Sequence, residues 1–231
     1  MALAESSIFG SAPNTTVNAN RITTMFLDMY EKKEKKLGWG YSGAGEDFSV
    51  SGWVALGLKS AHQASLQSVS TPRYKKVFAQ YRKWVETMTN EKKGEAYYRP
   101  GRDATKNMMY VGMFQRQFMG FPRSDLFLTM AGKNTIKLSD KILKRKEGPS
   151  DIYGLYYGTL ASFQQQGKTW AYWNPLMKKL LVNSQLPGDP NKLGGSWKPG
   201  SDGVSREGGR VMTTALLTLC LEVYYRYTLM Q

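Results

Sequence analysis

The feature that most constrains this chain is a regular alternation between two kinds of helical segment. Apolar residues recur at helical spacing in eight stretches, near 19–36, 48–67, 73–92, 105–119, 125–146, 151–166, 174–186 and 207–228. The first, third and fifth carry the lysines: Lys32, Lys33, Lys35 and Lys36, then Lys75, Lys76, Lys83, Lys92 and Lys93, then Lys137, Lys141, Lys144 and Lys146. The intervening stretches are charge-poor, as in Val50-Ser51-Gly52-Trp53-Val54-Ala55-Leu56 and Val211-Met212-Thr213-Thr214-Ala215-Leu216-Leu217. A helix polar on one face lies at a surface, and one apolar nearly all round is enclosed. The alternation therefore predicts an all-α fold with an outer and an inner layer, built from about four helical hairpins. Punctuation supports the boundaries. Asn174-Pro175 is read as a cap followed by proline at the first helical position, Thr71-Pro72 likewise, and Gly120 and Gly167 as stops.

The hairpins repeat. Leu37-Gly38-Trp39-Gly40-Tyr41, Gly94-Glu95-Ala96-Tyr97-Tyr98 and Gly194-Gly195-Ser196-Trp197 each lead through a glycine-rich loop into a charge-poor helix, and Gly148-Pro149-Ser150-Asp151 is a shortened version. Trp39 and Tyr97 are 58 residues apart, and Tyr97 and Trp197 are 100 apart. Both intervals suit a unit of about fifty residues, longer than the ~34 of a tetratricopeptide repeat. The expected organisation is an extended lead-in over 1–18 and one repeat domain over 19–231.

Composition narrows the partners. The net charge is +14, shared equally at +7 between residues 1–120 and 121–231, so it forms no basic tail. Such a surface favours anionic partners. The lysine runs allow nucleic acid, but no nucleic-acid-binding module is present. The start lacks a secretory pattern, and the longest apolar stretch, 211–225, is broken by threonines and Glu222, so no membrane span is expected. One cysteine, Cys220, leaves no internal disulfide and favours a cytoplasmic setting.

Gly38-Trp39-Gly40-Tyr41 running into Ser51-Gly52-Trp53, Tyr156-Tyr157-Gly158-Thr159 with Trp173-Asn174, and Gly195-Ser196-Trp197 running through Gly208-Gly209-Arg210 to Tyr224-Tyr225-Arg226-Tyr227 resemble the repeat of squalene cyclases and protein prenyltransferases. The closer likeness is to uncharacterised bacterial proteins with that repeat, over roughly 20–228. The resemblance implies an α/α-toroid. That toroid normally has six hairpins, so four imply an open or partial array that closes by self-association or within a larger assembly.

Chemistry is weakly specified. The cyclases of this family resemble one another in an Asp-x-Asp-Asp acid. Here the nearest feature is Glu46-Asp47, with Asp47 better placed as a helix cap. The prenyltransferases resemble one another in an Asp, Cys, His zinc set. Cys220 and His62 fall short of the three or four ligands zinc requires. No cofactor or metal is expected. The aromatic and polar residues at corresponding repeat ends, Trp39, Tyr41, Trp53, Tyr98, Arg99, Tyr157, Trp197, Asp202 and Arg210, form a candidate binding rim. Wedging of those rings between the layers is the competing reading. The expectation is a non-catalytic scaffold or binding module using its inner face or loop rim. The alternative is a toroid enzyme acting on an isoprenoid or, lyase-like, on an anionic polysaccharide.

Overall fold

A computed structural model describes residues 14–32, 37–41, 46–144, 146–189 and 192–226. The fold is all-α, and the chain forms two compact units. Among the described residues no helix is long and apolar enough to cross a membrane.

The first unit runs through Thr89 and takes in Tyr97–Ala104. It holds α1 (Thr15–Glu31), α2 (Phe48–Gln63), a 3-10 turn (Gln67–Val69) and α3 (Pro72–Thr87). Helix α1 buries Thr15, Ala19, Thr23, Leu27 and Tyr30, a stripe with the helical repeat. Its Thr23 and Asn20 side chains bond Ser68 of the 3-10 turn. Asp47 caps α2 and Thr71 caps α3, with Pro72 in the first turn where a missing N–H is harmless. Helix α1 starts inside the stretch expected to be extended; residues 1–13, and the last part of the first expected helix, 33–36, lie outside the described residues.

Trp39 latches the layers together. Its indole N–H donates to the Phe26 carbonyl of α1 at 3.0 Å. Its backbone N–H donates to Ser51 Oγ of α2 at 2.8 Å, and that hydroxyl donates back to the Trp39 carbonyl. The ring is buried between Tyr30 and Tyr81, with centroids at 4.9 and 5.3 Å. Gly38 must be glycine: a Cβ there would lie 2.5 Å from the Trp84 ring.

A short ribbon follows, which the sparse strand-like alternation did not predict: β1 (Thr89–Asn90), β2 (Glu95–Arg99) and β3 (Arg102–Ala104). Strands β2 and β3 are antiparallel, with Tyr97 opposite Ala104 and Arg99 opposite Arg102. The third helix ends at Thr87, before the expected 92, because the chain turns into this ribbon. Tyr97 is a strand residue whose N–H bonds the Met88 carbonyl, so it is not the counterpart of Trp39.

The second unit comprises Asn90–Ala96 and the chain from Thr105. It contains α4 (Lys106–Phe118), α5 (Leu126–Leu143), α6 (Ile152–Gln165), α7 (Gly167–Ser184), α8 (Gly203–Leu221) and the short α9 (Val223–Arg226). Helices α4, α6 and α8 pack in sequence as one row, and α5 and α7 pack together as a second. Every residue from Met108 to Phe118 and from Ile152 to Ser162 is buried. Helix α5 instead buries a stripe, Phe127, Leu128, Ala131, Gly132, Thr135, Ser139 and Leu143, and α7 buries Thr169, Trp173, Met177, Leu180 and Leu181. Helices α4 and α6 are the enclosed kind and α5 and α7 the surface kind that the alternation of charge implies, but the charge-poor α8, expected to be enclosed, buries only a stripe of Ser205, Thr213, Leu216, Leu217 and Cys220 and leaves Val211 in solvent.

Helix α7 begins at Gly167, not at Asn174. Gln166 and Gly167 both take positive φ (57° and 55°) and reverse the chain in two residues. Pro175 therefore lies inside the helix, where a missing N–H ordinarily costs ~3 kcal/mol. Burial of Thr169 and Trp173 holds the earlier turns in place, and the Trp173 indole N–H meets Thr159 Oγ1 at 3.1 Å. The last long helix also starts early, at Gly203, and breaks at Gly209, whose φ of 60° only glycine adopts at low cost. Residues 227 and 228 of the expected helix lie outside the described residues.

A second latch repeats the first. The buried Trp197 donates its indole N–H to the Leu181 carbonyl of α7 at 2.9 Å and its backbone N–H to Thr214 Oγ1 of α8 at 3.3 Å. Trp39→Ala and Trp197→Ala should each lower stability by about 3–5 kcal/mol. The phenylalanine variants keep most of the ring and lose only the indole N–H bond to a carbonyl that its own helix still engages, so they should lose about 0.5–1.5 kcal/mol. Urea denaturation followed by circular dichroism measures both; a loss near zero for either alanine variant would place that ring outside the core.

Candidate functional site

Polar groups of the second unit gather where α4, α6 and α8 begin. Asp151 caps α6 by accepting from the Gly154 N–H at 2.9 Å, and it also receives Asn107 Nδ2 (3.0 Å) and Lys106 Nζ (2.8 Å) from the first turn of α4. Asp202 caps α8 through the Ser205 N–H (3.0 Å), and its second oxygen accepts from the Ile152 N–H of α6 (3.0 Å). The Ser201 and Asp202 N–H groups both donate to the Ser150 carbonyl. Gly200 permits that approach, since a Cβ would lie 2.6 Å from the Ser150 oxygen. Each carboxylate thus joins two successive helix starts, where exposed N–H groups and the helix dipole both favour negative charge.

The expected rim residues divide between the units. In the first, Trp39 is buried, Trp53 is at the edge of exposure (37%), and Tyr41 projects into solvent (70%). Tyr98 is half-buried and Arg99 exposed on β2. In the second, Tyr157 is buried among Phe114, Tyr153 and Tyr156. Trp197 is the latch, and Arg210 Nη1 bonds its carbonyl at 3.1 Å. Asp202 is the cap just described. For Trp39, Tyr157 and Trp197 the geometry is that of wedges between layers.

The candidate acids are engaged locally. Asp47 accepts from the Ser49 and Val50 N–H groups at 2.8 and 3.1 Å and from Ser49 Oγ. Glu46 accepts from the backbone N–H groups of Leu37 and Gly38. Burial, with a smaller contribution from the Glu46 carboxylate, pushes the Tyr30 hydroxyl up to about 12. His62 stacks on Tyr74, with ring centroids 4.7 Å apart. Cys220 is fully buried, and that burial pushes its thiol up to about 12. Among the described residues no three His, Cys, Asp or Glu side chains form a group that could hold a metal ion.

Two features escaped the sequence reading. Arg116, in the enclosed α4, is 1% exposed and pairs with Asp125 (2.7 Å) and Glu91 (3.1 Å), with its guanidinium over the Phe121 and Phe127 rings. Removing one partner of such a pair ordinarily costs 3–5 kcal/mol. The second is a hollow of about 540 Å³ between the C-terminal parts of α5 and α7. Leu143, Leu176 and Leu180 supply its apolar surface, and Lys144, Lys146 and Lys179 surround it. A smaller cavity of about 210 Å³ lies by Lys106, Lys141 and Asp151. The lysines were legible as charge on an outer helix, but their convergence with Lys179 depends on how α5 packs on α7.

The chain matches no family model, no curated protein and no solved structure.

Asp202→Ala removes the α8 cap and the acceptor for Ile152, and should cost about 2 kcal/mol, the upper end for a single cap. Asp47→Ala should cost about 1 kcal/mol. Chemical denaturation tests the order, and equal losses would deny Asp202 its second role. A pH prediction follows from the thiol. Its ordinary value is 9.0, so the unfolded chain sheds that proton from pH 9 upward, while the folded chain holds it to about 12. The contribution is complete below pH 9 and is lost as pH climbs towards 12. Urea midpoints should fall over that interval, and Cys220→Ala should flatten the early part of the fall.

Proposed function

We propose that this chain is a non-catalytic α/α repeat module of the toroid type seen in squalene cyclases and protein prenyltransferases, acting as a scaffold that associates with further copies of itself. The observation that carries this reading is the fate of the candidate acids. Glu46 accepts from the Leu37 and Gly38 N–H groups of the connecting loop, and Asp47 from the Ser49 and Val50 N–H groups at the start of α2. A general acid must instead be aimed at the group it protonates.

The protein also exposes apolar side chains. Helix α1 exposes Val17 (64%), Ile22, Met25 and Met29 outside its buried stripe, and near the other end of the described chain Val211 (84%) and Tyr225 (92%) face solvent. Ile22, Met25 and Met29 sit at helical spacing along one side of α1. Contiguous exposed apolar surface marks an interaction face more often than an isolated exposed residue does. A second copy is the partner chosen because a partial array with apolar ends closes by adding like units. The even spread of the +14 charge leaves the anionic-partner expectation to particular lysine clusters rather than to the chain as a whole.

Sedimentation velocity over a wide concentration range tests the proposal. The expected result is a dimer or larger species that dissociates in Met25→Glu/Met29→Glu while helicity is retained. A monodisperse monomer at every concentration overturns it.

A further inference from the structure

We propose that the hollow between α5 and α7 binds the monomer of a single-chain anionic amphiphile, an alkyl chain ending in a phosphate or carboxylate. The hollow lies between the surface helices of the second unit and shares no residue with the exposed side of α1 that the scaffold reading uses, so each proposal can fail without the other.

Two opposed chemistries meet there. Leu143 and Leu180 are nearly covered (3% and 5% exposed), and Leu176 is half-buried beside them. Lys144, Lys146 and Lys179 are exposed around these leucines, and among the described residues the lining contains no carboxylate. Asp140 pairs with Lys144 at 2.7 Å and accepts the Tyr172 hydroxyl, but it does not line the hollow. Compensation of helix dipoles accounts for Lys144, the C-cap of α5. It does not account for Lys179, which lies more than a turn before the end of α7, or for Lys146, which lies beyond the end of α5.

The occupant follows from size and charge. About 540 Å³ falls within the range of small-molecule sites, ~300–1,000 Å³. The apolar floor spans one turn of α7, Leu176 to Leu180, with one leucine from α5. A partner helix needs anchors over at least two turns, so this floor is too short for one. An alkyl tail can cover the leucines while its head reaches the lysines. An inorganic anion gains only the screened attraction of exposed lysines, and a cationic amphiphile meets like charge.

The test is calorimetric titration with dodecyl phosphate below its micelle concentration, using inorganic phosphate, dodecyltrimethylammonium and phosphatidylglycerol vesicles as comparisons. The melting temperature is followed throughout. Dodecyl phosphate should bind at one site that weakens with salt, and the phosphate and the cationic amphiphile should each bind at least about tenfold more weakly. Lys146→Glu/Lys179→Glu should weaken dodecyl phosphate about tenfold with the melting temperature unchanged. Leu176→Ser, a change at a half-buried site, should weaken the tail's contribution independently. Equal binding of the two amphiphiles, equal binding of inorganic phosphate, binding to vesicles without monomer binding, or affinity unaltered in both variants would each overturn the proposal.

Discussion

The structure depends on a tryptophan that belongs to neither helix of its hairpin. Trp39 and Trp197 sit in connecting loops, and each reaches back to a carbonyl of the preceding helix and forward to a hydroxyl of the next. A helix carbonyl already engaged in its own ladder retains a second lone pair, so the indole adds a bond without breaking one. The ring then fills the wedge between the two helices, where burying a large side chain contributes on the order of 2–3 kcal/mol. The hydroxyl sets register: Ser51 and Thr214 stand one to three turns into their helices, so the loop can close only when the inner helix is correctly rotated.

That rotation decides what the carboxylates can do. With the inner helices set, their first turns present unpaired N–H groups, and Asp151 and Asp202 each supply oxygens to two of them or to a neighbouring side chain. The acidic residues here are therefore structural because of where the helices start. Arg116 obeys the same logic in the interior. A guanidinium in an enclosed row is tolerated because Asp125, itself the cap of α5, faces it. One carboxylate both starts a helix and neutralises a buried cation, which ties the α4–α5 turn to the layer beneath it.

Much of this architecture was legible in the order of residues. The alternation of lysine-bearing and charge-poor segments anticipates the enclosed runs Met108–Phe118 and Ile152–Ser162 and the single stripes of α5 and α7. Local punctuation misled where packing overrode it. Asn174-Pro175 has the composition of a helix start, yet burial of Thr169 and Trp173 carries α7 back to a two-residue reversal at Gln166. Tyr97 sits at a plausible repeat interval but belongs to a ribbon too short to show alternation. The site was less legible still. The aromatics read as a rim are largely wedges, because a ring at a repeat end looks the same in sequence whether it faces solvent or a neighbouring helix.

The division of labour between the layers explains where a ligand surface can survive. The enclosed helices have no side chains to spare: from Met108 to Phe118 and from Ile152 to Ser162 each position is buried, so substitution there alters packing before it alters recognition. Helices α5 and α7 use one stripe for the core and leave the rest of each turn unconstrained. Of the lysines near their C-terminal parts, the helix dipole favours only Lys141 and Lys144 of α5; Lys146 and Lys179 stand outside the last turns. At the edge of the two stripes the buried Leu143 and Leu180 and the half-buried Leu176 border Lys144, Lys146 and Lys179. A hollow with an apolar floor and a cationic edge is then a natural by-product of stacking two amphipathic helices of this composition, and a few residues at that seam suffice to alter its specificity while leaving the latches intact.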